Sequence, residues 1–110
     1  MNTFDKYLLK KDKLIKRRIE IDSSLYEKLS KLTDVYDASI NKLVNIAIVE
    51  MINTENVQIY EKPENEISES HNFAIRETSY SAMEKLRDKY GLSIYKLTNI
   101  AIYNALNSDK

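Results

Sequence analysis

The sequence predicts a mainly α-helical protein with one short β-ribbon, built from two strand-helix-helix units whose strands pair antiparallel. Three observations lead there. The stretch Ser39-Ile40-Asn41-Lys42-Leu43-Val44-Asn45-Ile46-Ala47-Ile48 returns as Ser93-Ile94-Tyr95-Lys96-Leu97-Thr98-Asn99-Ile100-Ala101-Ile102, a shift of 54 residues. One glycine, one proline, 31% charged and 43% apolar residues make a helical composition, too poor in turn formers for an all-β fold. Each unit also opens on a short polar–apolar alternation, which as an unpaired strand would expose its backbone groups.

Carried back without gaps, the shift matches Ile21 to Ile75, Tyr26 to Tyr80, Lys31 to Lys85, Leu32 to Leu86, Asp34 to Asp88 and Tyr36 to Tyr90, and forward it matches Asn53 to Asn107. The chain is two copies of one unit of about 36 residues, a size below that which folds unaided. In the first copy Arg18-Ile19-Glu20-Ile21 has the period of a strand and its β-branched residues. Asp22, Ser23 and Ser24 follow as N-cap candidates, with Ser24 and Glu27 at capping-box spacing. Leu25, Leu29, Leu32 and Tyr36 line one face of a first helix.

Asp37-Ala38 ends that helix, and the equivalent of Asp37 is Gly91, the only glycine. A left-handed residue is expected there, which Gly adopts freely and Asp tolerates. Ser39 and Ser93 are the expected caps of the second helices. The first of these is apolar nearly all round (Ile40, Leu43, Val44, Ile46, Ala47, Ile48, Val49, Met51, Ile52) and is expected to be buried on more than one side. The second strand, His71–Ile75, is weaker and turns Phe73 and Ile75 to the apolar face.

Several functions are excluded by what is missing. The chain has no Cys and one His, so disulfide scaffolds, the common zinc sites, thiol catalysis and most His-based chemistry fall away. No catalytic residue, metal or cofactor is expected, and His71 is expected to be an ordinary strand residue. No apolar run exceeds four residues (Ile46–Val49), against the roughly 20 that span a bilayer. The N-terminus is polar and basic without a signal-peptide core, which places the protein in the cytoplasm and away from membranes.

The net charge of zero hides a gradient. Residues 1–18 hold Lys6, Lys10, Lys11, Lys13, Lys16, Arg17 and Arg18 against Asp5 and Asp12, a net of +5. Residues 19–53 sum to −3, residues 54–70 to −4, and residues 71–110 to +2. A basic arm (residues 1–15) thus runs into unit 1 (16–53), which an acidic linker (54–69) joins to unit 2 (70–110). Charge asymmetry of this kind points to a partner.

A short strand, two helices with a left-handed turn between them and a Ser-capped apolar second helix resemble the ribbon-helix-helix family of Arc/MetJ type. The resemblance covers residues 16–53 and 70–107 and is duplicated within one chain. It implies a two-stranded ribbon lying in the major groove of double-stranded DNA. With Ile19 and Ile21 on the apolar face, the opposite face carries Lys16, Arg18 and Glu20, and by the same shift Ser70, Asn72 and Ala74. Matched to the family's pattern, these six are the base-reading positions. Arg18 or Lys16 suits guanine O6/N7, Asn72 adenine N6/N7, Glu20 cytosine N4, and Ala74 a thymine methyl.

The N-termini of the second helices are natural phosphate sites, and there Ser39, Lys42, Ser93 and Lys96 add hydroxyls and cations. Lys10, Lys11, Lys13 and Arg17 add phosphate contacts from the arm and the first strand. The copies depart from each other at every outward position, at Arg76 (for Asp22) and at Ser79 (for Leu25), so the second copy is expected to serve architecture more than binding.

The 16-residue linker, treated as a coil, spans roughly 20 to 24 Å on average and reaches about 50 Å extended. The copies can therefore meet in one chain at an effective concentration in the millimolar range. An intramolecular pseudo-dimer is the preferred arrangement, with a chain dimer of like units as the competitor. Val57-Gln58-Ile59-Tyr60 is expected to add a small strand or to pack on the helices. The functional expectation is a sequence-specific DNA-binding protein, either a transcriptional repressor or a plasmid partition or transfer accessory factor. The rival is an antitoxin-like module whose arm or linker neutralises a protein partner.

Overall fold

The structure, a computed structural model, describes residues 13–108. Its elements run β1 (Leu14–Asp22), α1 (Ser23–Tyr36), α2 (Ile40–Thr54), β2 (Ser68–Arg76), α3 (Glu77–Tyr90) and α4 (Ile94–Leu106). The shift of 54 carries β1 onto β2 and α1 onto α3 boundary for boundary, and starts α4 where α2 requires. The fold is mixed α/β: one two-stranded antiparallel sheet and four helices. Both strands are nine residues long, longer than the alternating stretches, because backbone pairing continues through Leu14–Arg17 and Ser68–Ser70.

The ladder runs from Leu14 opposite Arg76 to Asp22 opposite Ser68, with Arg18 opposite Asn72 at its centre. Arg18 and Asn72 are each other's equivalents in the repeat, so the ladder has a local two-fold through that pair. Ile19, Ile21, Phe73 and Ile75 turn to the helices and are buried. Beneath them lie Leu25, Leu29, Val44, Ile48, Met51, Met83, Leu97 and Ile102, each worth about 1.5–3 kcal/mol of burial for a large aliphatic side chain.

Two asparagines lock the ladder to the helices. Asn99 of α4 accepts from the Asp22 backbone N–H at 2.8 Å and donates to the Glu20 carbonyl at 2.9 Å. Its equivalent, Asn45 of α2, accepts from the Arg76 N–H at 3.4 Å and donates to the Ala74 carbonyl at 2.9 Å. Each second helix therefore holds the strand of the other unit. The same reciprocity closes the first helices: Ser23 N–H donates to the Ile67 carbonyl and Glu77 N–H to the Lys13 carbonyl, both at 2.8 Å.

The turn chemistry follows the sequence. Asp37 (φ 50°) and Gly91 (φ 67°) are left-handed, and the hydroxyls of Ser39 and Ser93 accept from Lys42 and Lys96 N–H, each at 3.1 Å. At the start of α1 it does not. Asp22 holds the N-cap backbone position, but its side chain makes no capping bond, and Ser24 donates to Glu66 instead of entering a capping box. The cause is the linker, which crosses this end of the ribbon. The Asp22 carboxylate, 1% exposed, accepts from the hydroxyls of Tyr95 (2.6 Å) and Tyr60 and pairs with Lys62 at 3.3 Å. Charge-assisted partners of that kind outcompete the N–H groups of Ser24 and Leu25 that an N-cap side chain would serve, while the Ile67 carbonyl takes the Ser23 N–H.

The linker is accordingly a docked segment rather than a free coil, and Val57–Tyr60 packs without adding a strand. Tyr60 stacks on Tyr103 at 4.5 Å, Asn104 donates to the Asn56 carbonyl at 2.9 Å, and Lys89 and Tyr90 both hold Glu55 at 3.0 Å. As expected, α2 is covered on more than one side, packing against β2, α1, α3 and α4, but the one-sided path of the linker leaves part of its apolar surface open. Ile46 is 55% and Val49 39% exposed, whereas the equivalent of Ile46, Ile100 under the linker, is 2% exposed. Among the described residues no helix is long and apolar enough to cross a membrane.

Replacing Asn99 by Ala should cost about 3 kcal/mol, because a buried N–H and carbonyl of β1 lose their partner. Asn45→Ala, at a half-buried site, should cost less; urea unfolding of both variants measures the difference. A second outcome concerns pH. Burial, then the Asp22 carboxylate, pushes the Tyr60 phenol well above its ordinary value of 10.0. The folded chain then keeps a proton that the unfolded chain loses, so stability falls as pH rises past about 10. Tyr60→Phe should lose less stability than wild type between pH 9 and 11 in the same unfolding assay.

Candidate nucleic-acid interface

Because the strand period is two, burying Ile19, Ile21, Phe73 and Ile75 turns the intervening side chains away from the helices. The register then sets them in cross-strand pairs: Lys16 with Ala74, Arg18 with Asn72, Glu20 with Ser70. All six positions expected to read bases share this face. Lys16, Arg18, Glu20 and Asn72 are exposed, and Ser70 and Ala74 are half-buried. Directly opposed side chains on one face of such a ladder stand about 4.5–5.5 Å apart at Cβ, so each pair acts as a unit.

Charge is unevenly spread along the ribbon. One end gathers Lys13, Lys16, Arg17, Arg18 and Arg76, all exposed. The other holds Glu20, which accepts from the Ser68 hydroxyl at 3.2 Å, together with Glu69 and the covered Asp22. Among the described residues, no ion pair neutralises Lys16, Arg18, Lys42 or Lys96. An open groove along the basic end is lined by Lys16, Arg17, Arg18, Asn41, Asn72 and Ala74.

Arg17 stands apart from its neighbours. Its parity turns it to the helix side, where its guanidinium lies 5.0 Å from the Tyr80 ring centroid and donates to the Lys16 carbonyl at 2.9 Å. It borders the outward face of the ribbon without belonging to it. The N-terminus of α2 is fastened to the basic end by Asn41, which accepts from Ala74 N–H at 2.8 Å and donates to its carbonyl at 3.0 Å. Ser39 and Lys42 are thereby held beside β2. In α4 the equivalent of Asn41 is Tyr95, which uses its hydroxyl on Asp22 and accepts from Lys62 at 2.6 Å, so Ser93 and Lys96 flank the acidic end.

Two contributions escape a reading of the sequence alone. Arg76 looks like a mere departure from Asp22 until the register puts it opposite Leu14, next to Lys16 and Ala74. Asn41 reads as helix surface until it is seen holding the strand edge. His71 takes no part in the outward face: its ring stacks on Tyr26 at 3.8 Å. Among the described residues no cluster of three or more His, Asp or Glu could hold a metal ion. Lys10 and Lys11, expected at phosphates, lie outside the described residues. No family model, curated protein or solved structure matches the chain.

Proposed function

We propose that the chain is a tandem ribbon-helix-helix protein, an intramolecular pseudo-dimer that binds double-stranded DNA with sequence preference. The observation that carries the proposal is the outward face of the ribbon: six side chains in direct register, cationic at one end, four of them exposed and two half-buried among the described residues. A two-stranded ribbon fits the major groove, where each base pair presents a distinct donor and acceptor pattern. From Lys16 to Glu20 the face extends about 14 Å, which matches about four stacked base pairs.

Within that span the residues divide the work. Arg18 donates in a fork to guanine O6 and N7, and Asn72 opposite it pairs with adenine N6 and N7. Lys16 extends guanine or phosphate contact at the basic end, beside Ala74, whose methyl suits thymine. Glu20 and Ser70, at the acidic end, favour a cytosine amino group. Arg17 on its Tyr80 platform, Lys13 and Arg76 meet phosphate, and the α2 and α4 N-termini with Ser39, Lys42, Ser93 and Lys96 clamp the backbone on either side. The second unit thus supplies half of the reading face as well as architecture. Because Arg18 faces Asn72 and Lys16 has Ser70 as its repeat equivalent, the recognised site is oriented rather than palindromic. A protein of this kind serves as a promoter repressor or as an accessory factor that marks a plasmid site.

Selection from random duplex DNA should enrich one short, non-palindromic sequence; failure to enrich any would overturn the proposal. Arg18→Ala should lose the preference at one base position, at a cost of about 1–3 kcal/mol on the selected site. Lys42→Ala and Lys96→Ala should weaken binding to every sequence alike and each reduce the salt slope by about one. Titrations at several salt concentrations separate the two classes.

A further inference from the structure

Between the C-terminal half of α2 and the start of α3 lies a notch of about 260 Å³, bounded by Val49, Ile52 and Asn53 on one helix and by Arg76, Ser79 and Ala82 across from them. In the first copy the places of Arg76, Ser79 and Ala82 belong to Asp22, Leu25 and Lys28. Leu25 is a core side chain there, 4% exposed. A serine in place of that leucine, with an alanine three residues on, leaves space that the surrounding helices do not fill.

The groups around that space are donors. Ser79 is 7% exposed, and among the described residues its hydroxyl has no hydrogen-bond partner. A buried polar group in that state is rare and calls for an occupant. The Ser79 backbone N–H stands in the first turn of α3, among those that a helix leaves without an internal partner. Arg76 holds the N-cap position, its side chain has no oxygen to offer, and no side chain caps this helix. Its guanidinium is exposed and forms no ion pair among the described residues. The partial positive charge of the helix N-terminus adds to it. Glu77, the carboxylate of the same turn, is exposed and does not border the notch.

We infer that the notch is a binding site for a phosphate-type oxyanion. The Ser79 hydroxyl and N–H bond its oxygens, Arg76 supplies the charge, and the Asn53 amide closes the site from α2. The bound anion thereby serves as the cap that α3 lacks. Two sources offer this chemistry: a backbone phosphate of duplex DNA at the basic end of the ribbon, and a free phosphate or phosphate monoester. The site shares Arg76 with the DNA reading but does not rest on it.

Inorganic phosphate is the probe, added to the full-length protein in a buffer free of phosphate and sulfate. At fixed ionic strength the Ser79 amide resonance should shift saturably with phosphate and not with chloride. Ser79→Ala, which keeps the notch open, and Arg76→Gln should each weaken that binding about tenfold or more, because a hydrogen bond to a charged group is lost. Ser79→Leu, which restores the residue of the first copy, should close the notch and abolish the response while unfolding stays cooperative. A duplex of the selected sequence separates the two sources. If a backbone phosphate fills the notch, the duplex moves the Ser79 amide and added phosphate no longer does; if a free anion fills it, phosphate still moves that amide with the duplex bound. A Ser79 amide that answers neither phosphate nor duplex beyond the chloride control would overturn the inference, as would phosphate binding left unchanged by Ser79→Leu. Either result leaves the enrichment of a DNA sequence by the ribbon untouched.

Discussion

Everything in this molecule hangs on a ladder between two strands that lie 54 residues apart, and on the two amides that hold it. An isolated two-stranded ribbon is marginal in water, and a 36-residue unit cannot bury the apolar side of its own second helix. Each failing is remedied by the other copy. The ribbon gives the helices a sheet to cover, and Asn99 and Asn45 reach across to fasten each strand to the opposite unit's helix. Without Asn99 the buried Asp22 N–H and the partly buried Glu20 carbonyl would lose their partners beneath α4, at a cost of about 1–3 kcal/mol each. Pairing, packing and hydrogen-bond satisfaction are one cooperative event.

On this symmetric frame the chain lays an asymmetric surface. The exchange of Asp22 for Arg76 is the pivot. A carboxylate at one end attracts Tyr60, Tyr95 and Lys62 and so pins the linker over α4, whereas a guanidinium at the other end stays exposed and adds to the basic half of the ribbon. Acidic residues gather where the linker lies, and cationic ones gather where it is absent. The zero net charge is the sum of these two ends, and a polyanion would be attracted to one and repelled by the other.

Much of this was legible in the residues. The repeat located every element, strand alternation assigned Ile19, Ile21, Phe73 and Ile75 to the core, and the serines and the Asp37–Gly91 pair marked the helix ends. These are local signals, carried by periodicity and backbone preference. What stayed hidden depended on contacts between distant segments. Asp22 reads as a cap because nothing nearby announces Tyr60, 38 residues on, as a stronger partner. Arg17 reads as one more cation until its parity and Tyr80 claim it. Arg76 needs the register, and the bare face of α2 needs the path of the linker, before either acquires meaning.

The pair at the centre of the ladder has one more consequence. In a ribbon made from two identical chains, the residue on the two-fold must face its own copy, so an arginine there would stand against an arginine, and like charges directly opposed destabilise a ladder. Joining two copies in one polypeptide removes that rule, and Arg18 faces Asn72. It also changes how the surface can vary. A substitution in a symmetric dimer is always made twice, and its energetic effect is doubled; here each change is made once. A duplicated gene of this design can alter its surface in steps half as large, and each strand can drift without dragging the other along.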